Sequence, residues 1–175
     1  MLVNLTEIFT SDNKSITEVI MLERESVQIG RDSYQIVKKE PIELTIRNIG
    51  TGKAIVKVDT SFVVMMNCDR CLKSVEYPFH LGFEVKVDSP DVKKLEEEQD
   101  ENENFMDGYH LNVDDLIYSE MILNWPTKIL CREDCKGICR VCGKDLNTGS
   151  CGCDTFVPSP GLAGIKEIFN ANKEV

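Results

Sequence analysis

Histidine is nearly missing from this 175-residue sequence, with two copies, and aromatic residues make up only 7% of it. The first shortage works against catalysis that uses imidazole as a base or as a ligand of an open metal site. His80 falls inside an alternating apolar run and His110 just ahead of a helical segment, neither beside a cysteine, so both are expected to be ordinary surface or half-buried residues. The second shortage leaves few platforms on which unpaired bases could stack, and Trp125 is expected in the core. No apolar run approaches the roughly 18 residues that span a bilayer. The opening MLVNLTEIFTSDNK shows neither a basic start nor an apolar stretch with a small-residue cleavage site. No Ser/His/Asp order, glycine-rich phosphate loop or paired-carboxylate signature stands out. These absences point to a cytosolic, non-enzymatic protein with no membrane partner and no small-molecule substrate.

The net charge of −10 is unevenly spread. Residues 1–90 carry 11 basic and 13 acidic groups, residues 91–108 carry 2 and 8, and residues 109–175 carry 7 and 9. The middle segment, DVKKLEEEQDENENFMDG, has little to bury and a block of like charge, so it is expected to be a solvated linker or loop. A polar surface helix over Val92 to Glu103 is the alternative. Three regions follow: a β-rich domain over 1–90, the acidic linker over 91–108, and a helix with a cysteine-rich module over 109–175.

In the first region PIELTIRNIG alternates through Ile42, Leu44 and Ile46, Gly50-Thr51-Gly52 marks a turn, and KAIVKVDTSFVVMMN resumes with β-branched residues. After CDRC the run SVEYPFHLGFEVKVD alternates through Val75, Tyr77, Phe79, Leu81, Phe83, Val85 and Val87. An antiparallel meander or partly open barrel is expected, with Cys68 and Cys71 in the turn between its long strands. SITEVIMLERESVQIGRDSYQIV reads as mixed: Ile16, Val19 and Ile20 fit a helical stripe, whereas Val27, Ile29, Tyr34 and Ile36 suit strands around Gly30. LNVDDLIYSEMILNWP predicts a helix capped by Asn112, with Asp114 and Asp115 in its first turn and an apolar face of Val113, Leu116, Ile117, Met121 and Leu123, ending by Pro126. A short final helix is predicted through Leu162, Ile165, Ile168 and Phe169. The fold class is α+β.

Eight cysteines divide evenly into two tetrahedral sets. A reducing compartment favours metal binding or redox chemistry over bridges. CRVCG forms a tight knuckle whose thiols point to one ion, and Cys151 and Cys153 supply a second pair across KDLNTGS. Cys139, Cys142, Cys151 and Cys153 are therefore expected to hold a structural zinc. Cys68, Cys71, Cys131 and Cys135 remain, and by parity and spacing could form a second site joining the hairpin tip to the module. A single site beside a free thiol stays open. Iron is a lesser alternative, since CRVCG is like one rubredoxin knuckle but rubredoxin repeats the knuckle and does not use Cys-x-Cys. So is a redox dithiol at Cys68 and Cys71, which lie between strands and not at a helix N-terminus. Lys128, Arg132, Lys136, Arg140 and Lys144, against Glu133 and Asp134, give a local excess of +3. These five are the candidate nucleic-acid contacts, although thiolate centres also attract cations simply for neutrality.

CDRC in the hairpin, YPFHLGFEVKV after it, the acidic stretch, LNVDDLIYSEMILNWP and CKGICRVCGKDLN together resemble the YceD family, also called DUF177, of bacterial and plastid proteins, in the form common in Gram-positive bacteria. The resemblance implies a non-enzymatic role in the synthesis, processing or stability of 23S rRNA and in large-subunit assembly, with rRNA or ribosomal proteins as partners. Two departures stand out: Arg140 replaces a proline usual in the knuckle, and Ser159-Pro160-Gly161 precedes Leu162 where the family tends to have Asp-Pro-Arg. A zinc-stabilised adaptor unrelated to ribosomes and a thiol-redox protein are the competing readings.

Overall fold

The structure is a computed structural model that describes residues 1–93 and 105–153. Most of the acidic segment and the expected final helix lie outside the described residues. Contacts divide the chain into two compact units: residues 1–67 with 74–129, and residues 68–73 with 130–175. The helix that the sequence groups with the cysteine module therefore belongs to the first unit, and the tip of the long hairpin to the second.

The first unit is organised by β6 (Lys53–Asn67) and β7 (Ser74–Asp88), which pair antiparallel along their whole 15-residue lengths. Alternation makes this possible. In β6, Ala54, Val56, Val58, Thr60, Phe62, Val64 and Met66 are all buried on one face. Opposite them Phe79, Leu81 and Val87 are buried on β7, and the Phe62 and Phe79 rings stack with centroids 5.2 Å apart. A one-residue slip would turn this face to water, so the register is fixed by burial.

The other edge of β6 is shared by two strands. β5 (Ile42–Gly50) pairs with residues 53–59, and β4 (Asp32–Lys39) with residues 62–64. β4 and β5 run end to end, interrupted at Pro41, which has no N–H to give to a ladder. β2 (Ser15–Ile20) extends the sheet from β5, and β3 (Ser26–Ile29) from β4. The sheet is open and not closed into a barrel.

The ambiguous N-terminal segment resolves as strand. Ile16 and Ile20 fit a helical stripe and an alternating one equally well, and pairing with β5 decides between them; Val19, two-thirds exposed, faces away from the core. The helix in this region is α1 (Thr6–Thr10), one short turn and a half. Asn48 fastens the β5–β6 turn to it. Its buried amide donates to the carbonyls of Ile8 (2.7 Å) and Gly50 (3.1 Å), and its Oδ1 accepts the Gly50 N–H at 2.9 Å. Gly52 is required in that turn, because φ is +69° and a Cβ would meet Ser89 and Val92 side chains at 2.6 Å.

A second, three-stranded sheet places β9 (His110–Asn112) between β1 (Leu2–Asn4) and β8 (Met106–Asp107). A single helical turn, α2 (Pro90–Lys93), follows β7. From β9 the chain enters α3 (Val113–Leu123), capped as expected by Asn112, whose side chain accepts the Asp115 N–H. Val113, Leu116, Ile117 and Met121 join the same core as the sheet. Leu123 does not: it is 76% exposed. Trp125 packs on Tyr34 and Phe79, with centroids 5.0 and 5.6 Å away.

Leu44→Ala, at a fully buried position, is expected to destabilise the protein by about 2–5 kcal/mol. Leu123→Ala is expected to change stability by less than about 0.5 kcal/mol. Urea unfolding of the two variants tests the assignment of core face and solvent face; equal losses would contradict it.

Candidate metal centre

All eight cysteines lie in the second unit, and none is bridged to another. Their sulfurs gather into two groups of four: Cys68, Cys71, Cys131 and Cys135, and Cys139, Cys142, Cys151 and Cys153. Within each group all the sulfurs lie within 4.8 Å of one another. In the first, Cys68 and Cys135 are 3.9 Å apart and Cys71 and Cys131 3.6 Å. A disulfide would need about 2.05 Å. An ion about 2.3 Å from four tetrahedrally placed sulfurs would hold them about 3.8 Å apart. The observed separations bracket that value.

Local backbone makes each pair. β6 ends at Asn67, and the tip closes through Cys68 N–H to Lys73 O (2.8 Å) and Leu72 N–H to Cys68 O (2.9 Å). Leu72 takes the left-handed conformation, φ +61°, and is 64% exposed. The second knuckle repeats the device. Gly143 N–H donates to Cys139 O (2.8 Å), Cys139 N–H to Lys144 O (2.8 Å), and Val141 N–H to the Cys139 sulfur (3.4 Å).

The tip and the CKGIC segment meet backbone to backbone. Ile138 N–H donates to Arg70 O at 3.0 Å, and the Arg70 guanidinium donates to Cys135 O at 2.6 Å. Gly137, at φ +79°, permits this approach; a Cβ there would stand 2.8 Å from the Arg70 carbonyl oxygen.

The thiols of each group compete electrostatically. Burial alone would raise the Cys68 thiol, but backbone N–H groups of Cys131, Arg70 and Cys71 lower it to about 6. Backbone N–H groups of Cys142 and Val141 lower Cys139 to about 6. Other members move the opposite way, Cys71, Cys131 and Cys153 all being raised. Cys131 is raised to about 12 by burial and by its neighbouring thiols, and Cys153 to about 12 by Cys142 and Cys151 together with burial. Four thiolates cannot share so small a volume unless a positive ion sits among them. Both groups can hold a metal ion that prefers sulfur.

Neither histidine takes part: among the described residues each group is made of cysteine alone. His80 stands 3.3 Å from Ser61 Oγ on the β6–β7 pair, and His110 is exposed on β9. The basic residues take several roles. Arg132 pairs with Asp134 (3.2 Å) and donates to Asn147 (2.8 Å), and Lys144 donates to Ser150 O (3.0 Å). Lys136 and Arg140 line a pocket beside the tip. Lys128 is exposed in the first unit.

Sequence reasoning missed the residues that hold the cysteines in place. Asn147 accepts from Arg132 and from the Lys136 N–H (2.8 Å), and donates to Asp145 (2.7 Å) and to the Cys135 sulfur (3.5 Å). Lys73 pairs with Asp145 at 2.7 Å and holds that carboxyl down at about 2. The turn-rich spacer DLNTGS hinted at this loop only as a loop.

Fold and site together define a predominantly antiparallel β protein that carries a compact module with two four-cysteine groups. The match to a known family covers residues 56–169, well over half of the chain, so the chain belongs to the YceD family, described as large ribosomal RNA subunit accumulation protein. No individual curated protein and no solved structure matches it.

Metal binding must displace the protons that Cys131 and Cys153 carry at pH 7 in the ion-free protein, since both titrate near 12. Affinity is therefore expected to rise with pH, by about tenfold or more per unit at each site. Competition titrations with a chromophoric chelator between pH 6 and 8 check this; a flat profile would contradict it.

Proposed function

We propose that this protein is a non-enzymatic factor in the accumulation of large-subunit rRNA, acting in its synthesis, processing or stability during subunit assembly. Its cysteine module is built around two structural zinc ions. The observation that carries the zinc reading is the pair of closed, all-cysteine groups with sulfur separations of 3.6 and 3.9 Å in one of them. Zinc suits closed four-thiolate sites and has no redox chemistry. Catalytic zinc needs an open position, and four sulfurs leave none. Cys68, Cys71, Cys131 and Cys135 hold one ion, and Cys139, Cys142, Cys151 and Cys153 the other.

The ion has structural work to do. Residues 130–153 contribute few large buried apolar side chains, the buried positions being mainly Cys135 and Cys139. A free energy of about 10 kcal/mol or more per bound zinc would fold a segment this polar. Family membership supports the ribosomal role. Partners are then large-subunit rRNA or its proteins, in the cytoplasm. No helix among the described residues is long and apolar enough to cross a membrane.

Iron would serve the same geometry, and colour separates the two: the purified protein is expected to be colourless and to contain zinc. Cys68→Ser and Cys139→Ser are each expected to lose about one of two ions, read by elemental analysis. If neither changes metal content, both ligand sets fail. Depletion in cells is expected to lower large-subunit rRNA relative to small; an unchanged ratio would leave the ribosomal role without support.

A further inference from the structure

The second unit contains a pocket of about 410 Å³ lined by Asp69, Arg70, Leu72, Lys136, Ile138 and Arg140, with Gly137 at its wall. Three of these side chains are cationic and one is acidic, on a chain whose net charge is −10. Arg70 is the best anchored. One guanidinium nitrogen is committed to Cys135 O, and the guanidinium keeps further N–H donors of its fork for another acceptor. Lys136 is placed by its own backbone, whose N–H donates to Asn147.

These cations have a bland explanation in neutralising the metal–thiolate charge, and the contacts argue against it. The hydrogen bonds that reach sulfur come from Asn147 and from backbone N–H groups, and the lysine that feels the charges of Cys71 and Cys131 is Lys73. Among the described residues, the side chains of Lys136 and Arg140 make no ion pair and no bond to a thiol, whereas Arg132 and Lys144 are tied down. Beside the cations lies an apolar ledge. Leu72 is held outward by its left-handed backbone, 64% exposed, and Ile138 lines the wall below it.

We infer that the Arg70–Lys136–Arg140 pocket binds a backbone phosphate of single-stranded RNA, with the attached nucleoside resting on Leu72. This deepens the proposed function and rests on that reading, because it is the family's tie to rRNA that favours a nucleic acid over an acidic peptide. The chemistry matches. Guanidinium and ammonium groups suit phosphate oxygens, the volume lies in the range of small-ligand pockets, and single-stranded RNA presents an apolar base face next to each phosphate. The five basic residues singled out in the sequence thereby separate into two that meet the ligand, Lys136 and Arg140, and others with different work. Arg70, from the distant hairpin, joins the first two.

The test uses the full chain loaded with zinc and a fluorescein-labelled 12-nucleotide oligouridylate, followed by anisotropy from 50 to 250 mM KCl. The wild-type protein is expected to bind with a clear salt dependence. Lys136→Ala combined with Arg140→Ala is expected to weaken binding about tenfold or more at 100 mM KCl. It should also flatten the slope of log Kd against log salt by about 0.7, the value for one lost single-strand phosphate contact. Its zinc content should stay at the wild-type value. Lys57→Ala, on β6, is expected to change affinity by less than about twofold. Absence of wild-type binding at 50 mM KCl would overturn the assignment, as would a double variant with unchanged affinity and slope. Equal binding of a labelled polyglutamate, lost in the same variant, would make the pocket a site for acidic protein and overturn it too. The cellular rRNA ratio is a separate readout: a normal pocket result with an unchanged ratio, or the reverse, shows which of the two readings has failed.

Discussion

Two groups of four converging sulfurs lie at the centre of the cysteine module. The first is the more demanding, because Cys68 and Cys71 are some sixty residues from their partners Cys131 and Cys135. Ordering so long a loop costs entropy that grows only slowly with length, and the proposed ion, bound among the four sulfurs, would offset it in one step. The backbone is arranged to make that step feasible. Gly137 lets the CKGIC turn come against the Arg70 carbonyl, Asn147 spans from Lys136 to the Cys135 sulfur, and Lys73 clamps Asp145.

The β-sheet serves a different need. A hairpin of two 15-residue strands, buried on one face from Ala54 to Met66, delivers its tip, residues 68–73, as part of the cysteine unit. The sheet's stability comes from ordinary apolar burial, at about 1.5–3 kcal/mol for each large side chain removed from water. The module has little of this. On the proposed reading, one chain combines two means of holding a fold, apolar burial and metal binding.

Much of this was legible in the sequence where the signal was periodic or chemical. β5, β6 and β7 announced themselves by strict alternation, α3 by Asn112 followed by two aspartates, and the cysteine groups by spacing and number. What could not be read depends on contacts between distant residues. Ser15–Ile20 had too few positions to distinguish a stripe from an alternation, and only the β5 edge settled it. Three-residue strands such as β1 and β9 are too short to carry a period at all. Asn48 and Asn147, whose side chains each make several hydrogen bonds, look in sequence like any turn residue. The five basic residues were grouped by nearness along the chain, which could not reveal that Arg70 faces the same pocket as Lys136 and Arg140.

X-ray absorption at the zinc edge, with metal stoichiometry on the same native sample, tests the convergence of sulfurs most directly. Two ions per chain, each with four sulfur neighbours at about 2.3 Å and no nitrogen or oxygen shell, is the expected result. Metal-free protein with its thiols joined in disulfides, or one ion bound with mixed ligands, would contradict it.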